Sequence, residues 1–267
     1  MTFLEKLLAA SRANNSLLCV GLDPDPELMP AVSVAEFNRR IVDATSDLVC
    51  AYKPNLAFYE ALGHEGLKAL EETVACIPDH IPVIGDAKRG DIGSTARAYA
   101  TALFGNLAFD ALTVNPYLGH DSIEPFIEYQ GKGVFIVCRT SNPGSADFQA
   151  LQLREPSITL YEAVALRAQE WNTRGNIGLV VGATFPDELR RVRQLCPEMP
   201  LLIPGIGAQG GDVAATVRHG VDSSGERAII NSSRQVIYAS REKDFALAAR
   251  TVALRLREQI NTHRESF

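Results

Sequence analysis

The chain is predicted to fold as one (β/α)8 barrel domain spanning residues 1–267, and three observations carry that prediction. Its 267 residues match the roughly 250 that such a barrel needs. Eight short apolar runs punctuate it, most of them continuously apolar rather than alternating, as parallel strands covered on both faces require. Segments with helical spacing lie between them, and no composition break, internal repeat or low-complexity stretch marks a domain boundary.

Taken in order, Met1–Leu8 carries charges inside an apolar pattern and reads as an amphipathic helix covering one end of the barrel. It lacks the basic start and long apolar centre of a signal peptide. The first strand is Leu17–Asp23. Val34–Val49 follows with Phe37, Ile41, Val42, Ala44 and Leu48 at helical spacing. The next strands are Ala51–Leu56, Ile81–Lys88, Ala111–Pro116 and Gly133–Ser141. Asn142–Ser157, with Asn142-Pro143-Gly144 and Pro156, is the longest irregular piece and is expected to be a mobile loop over the active site. Ile177–Ala183 is the sixth strand. Pro186–Cys196 opens with Pro-Asp-Glu and lines up Leu189, Val192 and Leu195 on one helical face. Leu201–Gly207 and Ala228–Ser233 complete the barrel.

Composition narrows the function. With 46% hydrophobic and 22% charged residues the chain is an ordinary globular sequence with ample material for one core. A net charge of -6 argues against non-specific nucleic-acid binding, so an anionic substrate would need a locally positive pocket. The five cysteines, Cys19, Cys50, Cys76, Cys138 and Cys196, are scattered and form no C-x-x-C pair; they read as thiols in a reducing compartment. No apolar run approaches the length of a membrane span, and a cytoplasmic location is expected.

In this fold the active site sits at the C-terminal ends of the strands. Those ends carry Asp23 after strand one, Lys53 and Asn55 on strand two, and Asp86, Lys88 and Asp91 on and after strand three. Asn115 and Arg139-Thr140-Ser141 follow on strands four and five. Alternate residues of a strand share a face, so Asp86 and Lys88 should point the same way. A buried lysine needs a partner, and Asp86 and Asp91 are the candidates for Lys53 and Lys88. Such a cluster suits proton transfer; in isolation it would also fit a solvated salt bridge. Late in the chain, Pro204-Gly205-Ile206-Gly207-Ala208-Gln209-Gly210 and Asn231-Ser232-Ser233-Arg234 follow strands seven and eight, where phosphate sites recur. The Gly205–Gly210 stretch also matches a dinucleotide fingerprint, but that belongs in the first βα turn of a doubly wound sheet.

These motifs together resemble the orotidine 5′-phosphate decarboxylase family. Asp86-x-Lys88-x-x-Asp91-Ile92, Lys53 one strand earlier and Pro204–Gln209 later occur in the family's order. Ala51–Asn55 and Thr140–Gly144 look like its longer bacterial branch. The resemblance implies loss of CO2 from C6 of orotidine 5′-monophosphate to give uridine 5′-monophosphate, without metal or organic cofactor. It implies that Lys88 stabilises and protonates the developing carbanion, that Asp86 lies near the substrate carboxylate, and that Lys53 and Asp91 complete an alternating charge network. Asp23 and Thr95 would bind the ribose hydroxyls, Ser141 the pyrimidine, and Gln209, Ser233 and Arg234 the phosphate. It also implies a homodimer in which Asp91 serves the partner's site; no role falls to Asn55 or Asn115. A magnesium-dependent sugar-phosphate decarboxylase or aldolase of the same superfamily shares D-x-K-x-x-D, but there an acidic metal ligand replaces Lys53, and a lysine is a poor ligand for a hard cation. A non-catalytic nucleotide or phosphosugar sensor would be expected to lose some of the four charged residues, and all four are present.

Overall fold

The computed structural model describes residues 1–155, 157–207 and 210–264. Its eight strands are β1 Leu18–Leu22, β2 Ala51–Pro54, β3 Ile84–Arg89, β4 Ala111–Val114, β5 Gly133–Arg139, β6 Ile177–Val181, β7 Leu201–Pro204 and β8 Ala228–Ser232. All neighbouring pairs are parallel, in the order β2-β1-β8-β7-β6-β5-β4-β3. The ring closes more loosely between β2 and β3, through the bridges Tyr52↔Val83 and Asn55↔Asp86 and a 3.0 Å bond from Tyr52 N–H to Pro82 O. The predicted barrel is therefore present, and with it goes the dinucleotide reading of Gly205–Gly210, which needs an open sheet.

Every predicted strand exists but most stop sooner at the C-terminal end, where the polar residues leave the ladder for the rim. Leu56, placed in strand two, instead opens a short helix Leu56–Glu60, because the Asn55 carboxamide accepts the Ala57 N–H at 3.1 Å and caps it. β3 starts at Ile84 rather than Ile81, since Pro82 has no N–H to give to a ladder. The helix predicted at Val34–Val49 covers Val34–Thr45, and that at Pro186–Cys196 covers Pro186–Leu195.

Strand alternation sorts the core into two layers. Leu18, Val20 and Leu22 of β1 face the helices, as do Leu179 and Val181 of β6, Leu201 and Ile203 of β7, and Ala228 and Ile230 of β8. The residues between them, Cys19, Val180, Leu202 and Ile229, face inward and pack with Ala51, Ile84, Ala111 and Phe135. The N-terminal helix Phe3–Ala13, started by a capping box between Thr2 and Glu5, closes the end of the barrel beneath this layer. Its Phe3 meets the inward Phe135 edge to face at 5.6 Å, in space that Gly133 leaves free.

Candidate active site

One alternation step above the apolar layer, the inward positions become polar. Lys53 stands two residues beyond Ala51, Asp86 beyond Ile84, Thr113 beyond Ala111 and Asn231 beyond Ile229. Strand geometry thus stacks a polar layer directly on an apolar one. These four residues line a cavity of about 380 Å3 at the C-terminal ends of the strands, together with Asp23, Lys88, Ser141, Ser233 and Arg234.

The centre of the polar layer is Asp86. Its Oδ2 accepts from Lys53 Nζ at 2.9 Å and its Oδ1 from Lys88 Nζ at 2.6 Å. Lys53 is 4% exposed and the Asp86 side chain 10%, whereas the Lys88 side chain is 49% exposed and reaches into the cavity mouth. Burial alone would raise the Asp86 carboxyl, but the two ammoniums outweigh it and hold the group well below the usual carboxylate range. Burial would likewise lower Lys53, and the carboxylates of Asp86 and Asp23 outweigh it, raising the amine above its ordinary value. Lys53 and Asp86 are therefore a fixed ion pair at neutral pH. A lone buried charge here would be costly, and each is satisfied by the other.

Asp23 lies at the end of β1, nearly buried, with its carboxylate accepting the Asn55 N–H at 3.2 Å. Gly21, just before it, leaves room for Ser233: a Cβ there would collide with the Ser233 hydroxyl. Arg234 is exposed at the start of a short helix, Arg234–Ile237. Ser141 follows β5 beside Thr140 and Asn142. Gln209 lies outside the described residues.

Two predicted residues are not on the cavity wall of this chain. Asp91, expected beside Lys88, is half-buried past the end of β3, and its Oδ1 accepts the N–H of its own neighbour Ile92 at 2.8 Å. Thr95 is exposed on the helix Gly93–Ala100. Both lie past the end of β3, Asp91 in the connection and Thr95 on the helix that follows, where Gly93 opens the first turn with a φ of 57° that favours glycine. Asn115 is exposed and accepts from Tyr117 N–H.

Sequence reasoning missed Thr113 and Gln235 and gave Asn231 no role beyond its place in the motif after strand eight. Thr113 donates to Asp86 Oδ1 at 2.9 Å, and its only mark in sequence was one hydroxyl inside the run Ala111–Val114. Asn231 and Gln235 line the cavity with their side-chain oxygens buried and without a hydrogen-bond partner among the described residues. Gln235 packs against Gly207, where a side chain would strike it.

A family model described as "Orotidine 5'-phosphate decarboxylase / HUMPS family" matches residues 16–249. An orotidine 5′-phosphate decarboxylase of Dehalococcoides mccartyi is 55% identical over 100% of both chains. One from Cupriavidus metallidurans is 56% identical over 99% of each. Among solved structures, OMP decarboxylase of Leishmania donovani superposes with a TM-score of 0.89 at 44% identity, covering 99% of both chains. A putative orotidine-monophosphate decarboxylase of Toxoplasma gondii gives 0.90 at 40% identity, over 99% of this chain and 97% of that one.

Proposed function

The chain belongs to the orotidine 5′-phosphate decarboxylase / HUMPS family, and we propose that the cavity bounded by Lys53, Asp86 and Lys88 is where it works. The protein decarboxylates orotidine 5′-monophosphate to uridine 5′-monophosphate, the last step of de novo pyrimidine nucleotide synthesis. Departure of CO2 from C6 leaves an electron pair in the ring plane, where the π system cannot spread it. A fixed positive charge beside C6 is then the most useful catalyst.

The observation that carries the reading is the row Lys53–Asp86–Lys88, two short ion pairs running from the buried floor of the cavity toward its mouth. Lys88 is the more exposed ammonium and takes the role of carbanion stabiliser and proton donor. Asp86, anionic and close by, disfavours the substrate carboxylate relative to the transition state. Lys53 occupies the place where the magnesium-dependent alternative needs an acidic ligand, and both oxygens of Asp86 are already committed to ammoniums. Asp23 serves the ribose and Ser141 the pyrimidine; Ser233 and Arg234, joined by Gln209, serve the phosphate.

Asp91 and Thr95 enter this scheme as residues of a second copy in a homodimer. Support comes from their place outside the chain's own cavity and from the exposed apolar side chains of Ile92, Tyr117 and Leu118 beyond the ends of β3 and β4. A face of that kind fits a protein partner.

The test is spectroscopic. Purified protein in chelator-treated buffer should bleach the absorbance of orotidine 5′-monophosphate, and Lys88→Ala should abolish the bleaching while circular dichroism stays unchanged. Activity of Lys88→Ala within about tenfold of the parent would reject Lys88 as the donor. Activity that needs added magnesium would favour the sugar-phosphate chemistry instead.

A further inference from the structure

β3 does not run evenly against β4. Gly85 pairs with Leu112 and Arg89 with Val114, so the stretch Asp86–Lys88 is bulged opposite the single residue Thr113. Within the bulge Lys88 has φ 47°, a left-handed conformation that residues with a Cβ avoid. Its backbone N–H donates to the Thr113 hydroxyl at 2.9 Å instead of to a strand carbonyl. The same hydroxyl donates to Asp86 Oδ1 at 2.9 Å, and that oxygen accepts the Lys88 ammonium at 2.6 Å. Thr113 itself is 1% exposed.

A closed ring of hydrogen bonds results: Lys88 N–H to Thr113, Thr113 to Asp86, and Lys88 Nζ back to Asp86. A buried hydroxyl is costly unless satisfied, and this one is satisfied as both donor and acceptor by the two residues assigned to the chemistry. We propose that Thr113 is a positioning residue for decarboxylation: its hydroxyl holds the left-handed turn at Lys88 and the orientation of Asp86 at once. The inference rests on the roles given above to Lys88 and Asp86. Lys88 has a long, half-exposed side chain with many rotamers, and fixing both its backbone and its carboxylate partner removes most of them. The substrate's ribose and phosphate contacts lie elsewhere on the rim, so Thr113 should act on the chemical step rather than on binding.

The experiment compares Thr113→Ser, Thr113→Ala and Thr113→Val with Lys88→Ala in one assay. Serine and alanine both lose the methyl group, and only serine keeps the hydroxyl. Thr113→Ala and Thr113→Val should lose about ten- to a hundredfold in kcat, the usual effect of removing a hydrogen bond to a charged group. The dissociation constant for uridine 5′-monophosphate should stay within about threefold, and Thr113→Ser should regain most of kcat. Equal kcat in the serine and alanine variants would overturn the proposal, as would losses that appear only in nucleotide binding. The serine–alanine comparison still decides if the valine variant fails to fold. An active Lys88→Ala would instead refute the underlying site assignment, whatever the threonine variants do.

Discussion

At the scale of single residues, two large effects oppose each other in the Lys53–Asp86–Lys88 cluster. Desolvation would neutralise Asp86 and Lys53 separately, and their mutual attraction, with Lys88 added, keeps both charged. The sequence pointed to these residues because charges inside a strand body need a chemical reason; regular alternation was expected to put Asp86 and Lys88 on one face, whereas a bulge with Lys88 at φ 47° brings the ammonium to Asp86. It could not show the φ of Lys88 or the role of Thr113, since a threonine in an apolar run looks like any β-branched strand residue. Arg234 offers a test at this scale. It is exposed on the rim, away from the ion pairs, and its proposed task is the phosphate alone. Removing a charge-assisted phosphate bond costs roughly 1.5–3 kcal/mol, or about ten- to a hundredfold. Arg234→Ala should therefore lower kcat/KM for the nucleotide by that factor and change the rate with orotidine lacking the phosphate far less. Equal losses on both substrates would contradict a phosphate role.

At the scale of elements, the barrel's inward layers deliver the charges and its bulges aim them. The register of β5 slips between Val137 and Arg139, and Arg139 is thereby diverted from the cavity to the loop that follows. Sequence alone placed Arg139 with the polar rim of the active site; it is instead buried among loop and helix partners. Its Nε donates to Glu188 Oε2 at 2.6 Å, Nη1 donates to the Ser145 hydroxyl, and the guanidinium lies 3.9 Å from the centre of the Phe185 ring. Gln149 adds a bond to Thr140 N–H at 2.8 Å. The loop predicted to be irregular from Asn142 to Ser157 thus contains a short 3-10 turn, Pro143–Asp147, pinned from below by Arg139. Thr140, Ser141 and Asn142 of the cavity wall hang on that attachment. Arg139→Met should raise KM for the nucleotide by about tenfold and expose the loop to proteolysis, with kcat at saturation affected less. Unchanged KM and an unchanged cleavage pattern would show that the loop is held independently of Arg139.

At the scale of the whole molecule, the fold was legible because each strand and helix obeyed its own period. The eight runs and the covering helix followed from pattern. What pattern could not reveal was which rim residues share one cavity, because that depends on where the chain turns after each strand. Asp91 and Thr95 lie past β3, off the wall of their own chain's cavity, and the homodimer proposed above would give those side chains a site to complete. In the proposed dimer each active site takes Lys53, Asp86 and Lys88 from one chain and Asp91 from the other. Lys88→Ala and Asp91→Ala should each be nearly inactive as pure dimers. In a mixed dimer, one site then carries both lesions and the other neither. Mixing the two variants under conditions of verified subunit exchange should restore up to about a quarter of parental activity, since random pairing makes about half the dimers mixed, each with one intact site of two. No recovery of activity after complete exchange would contradict the shared site and return Asp91 to its own chain.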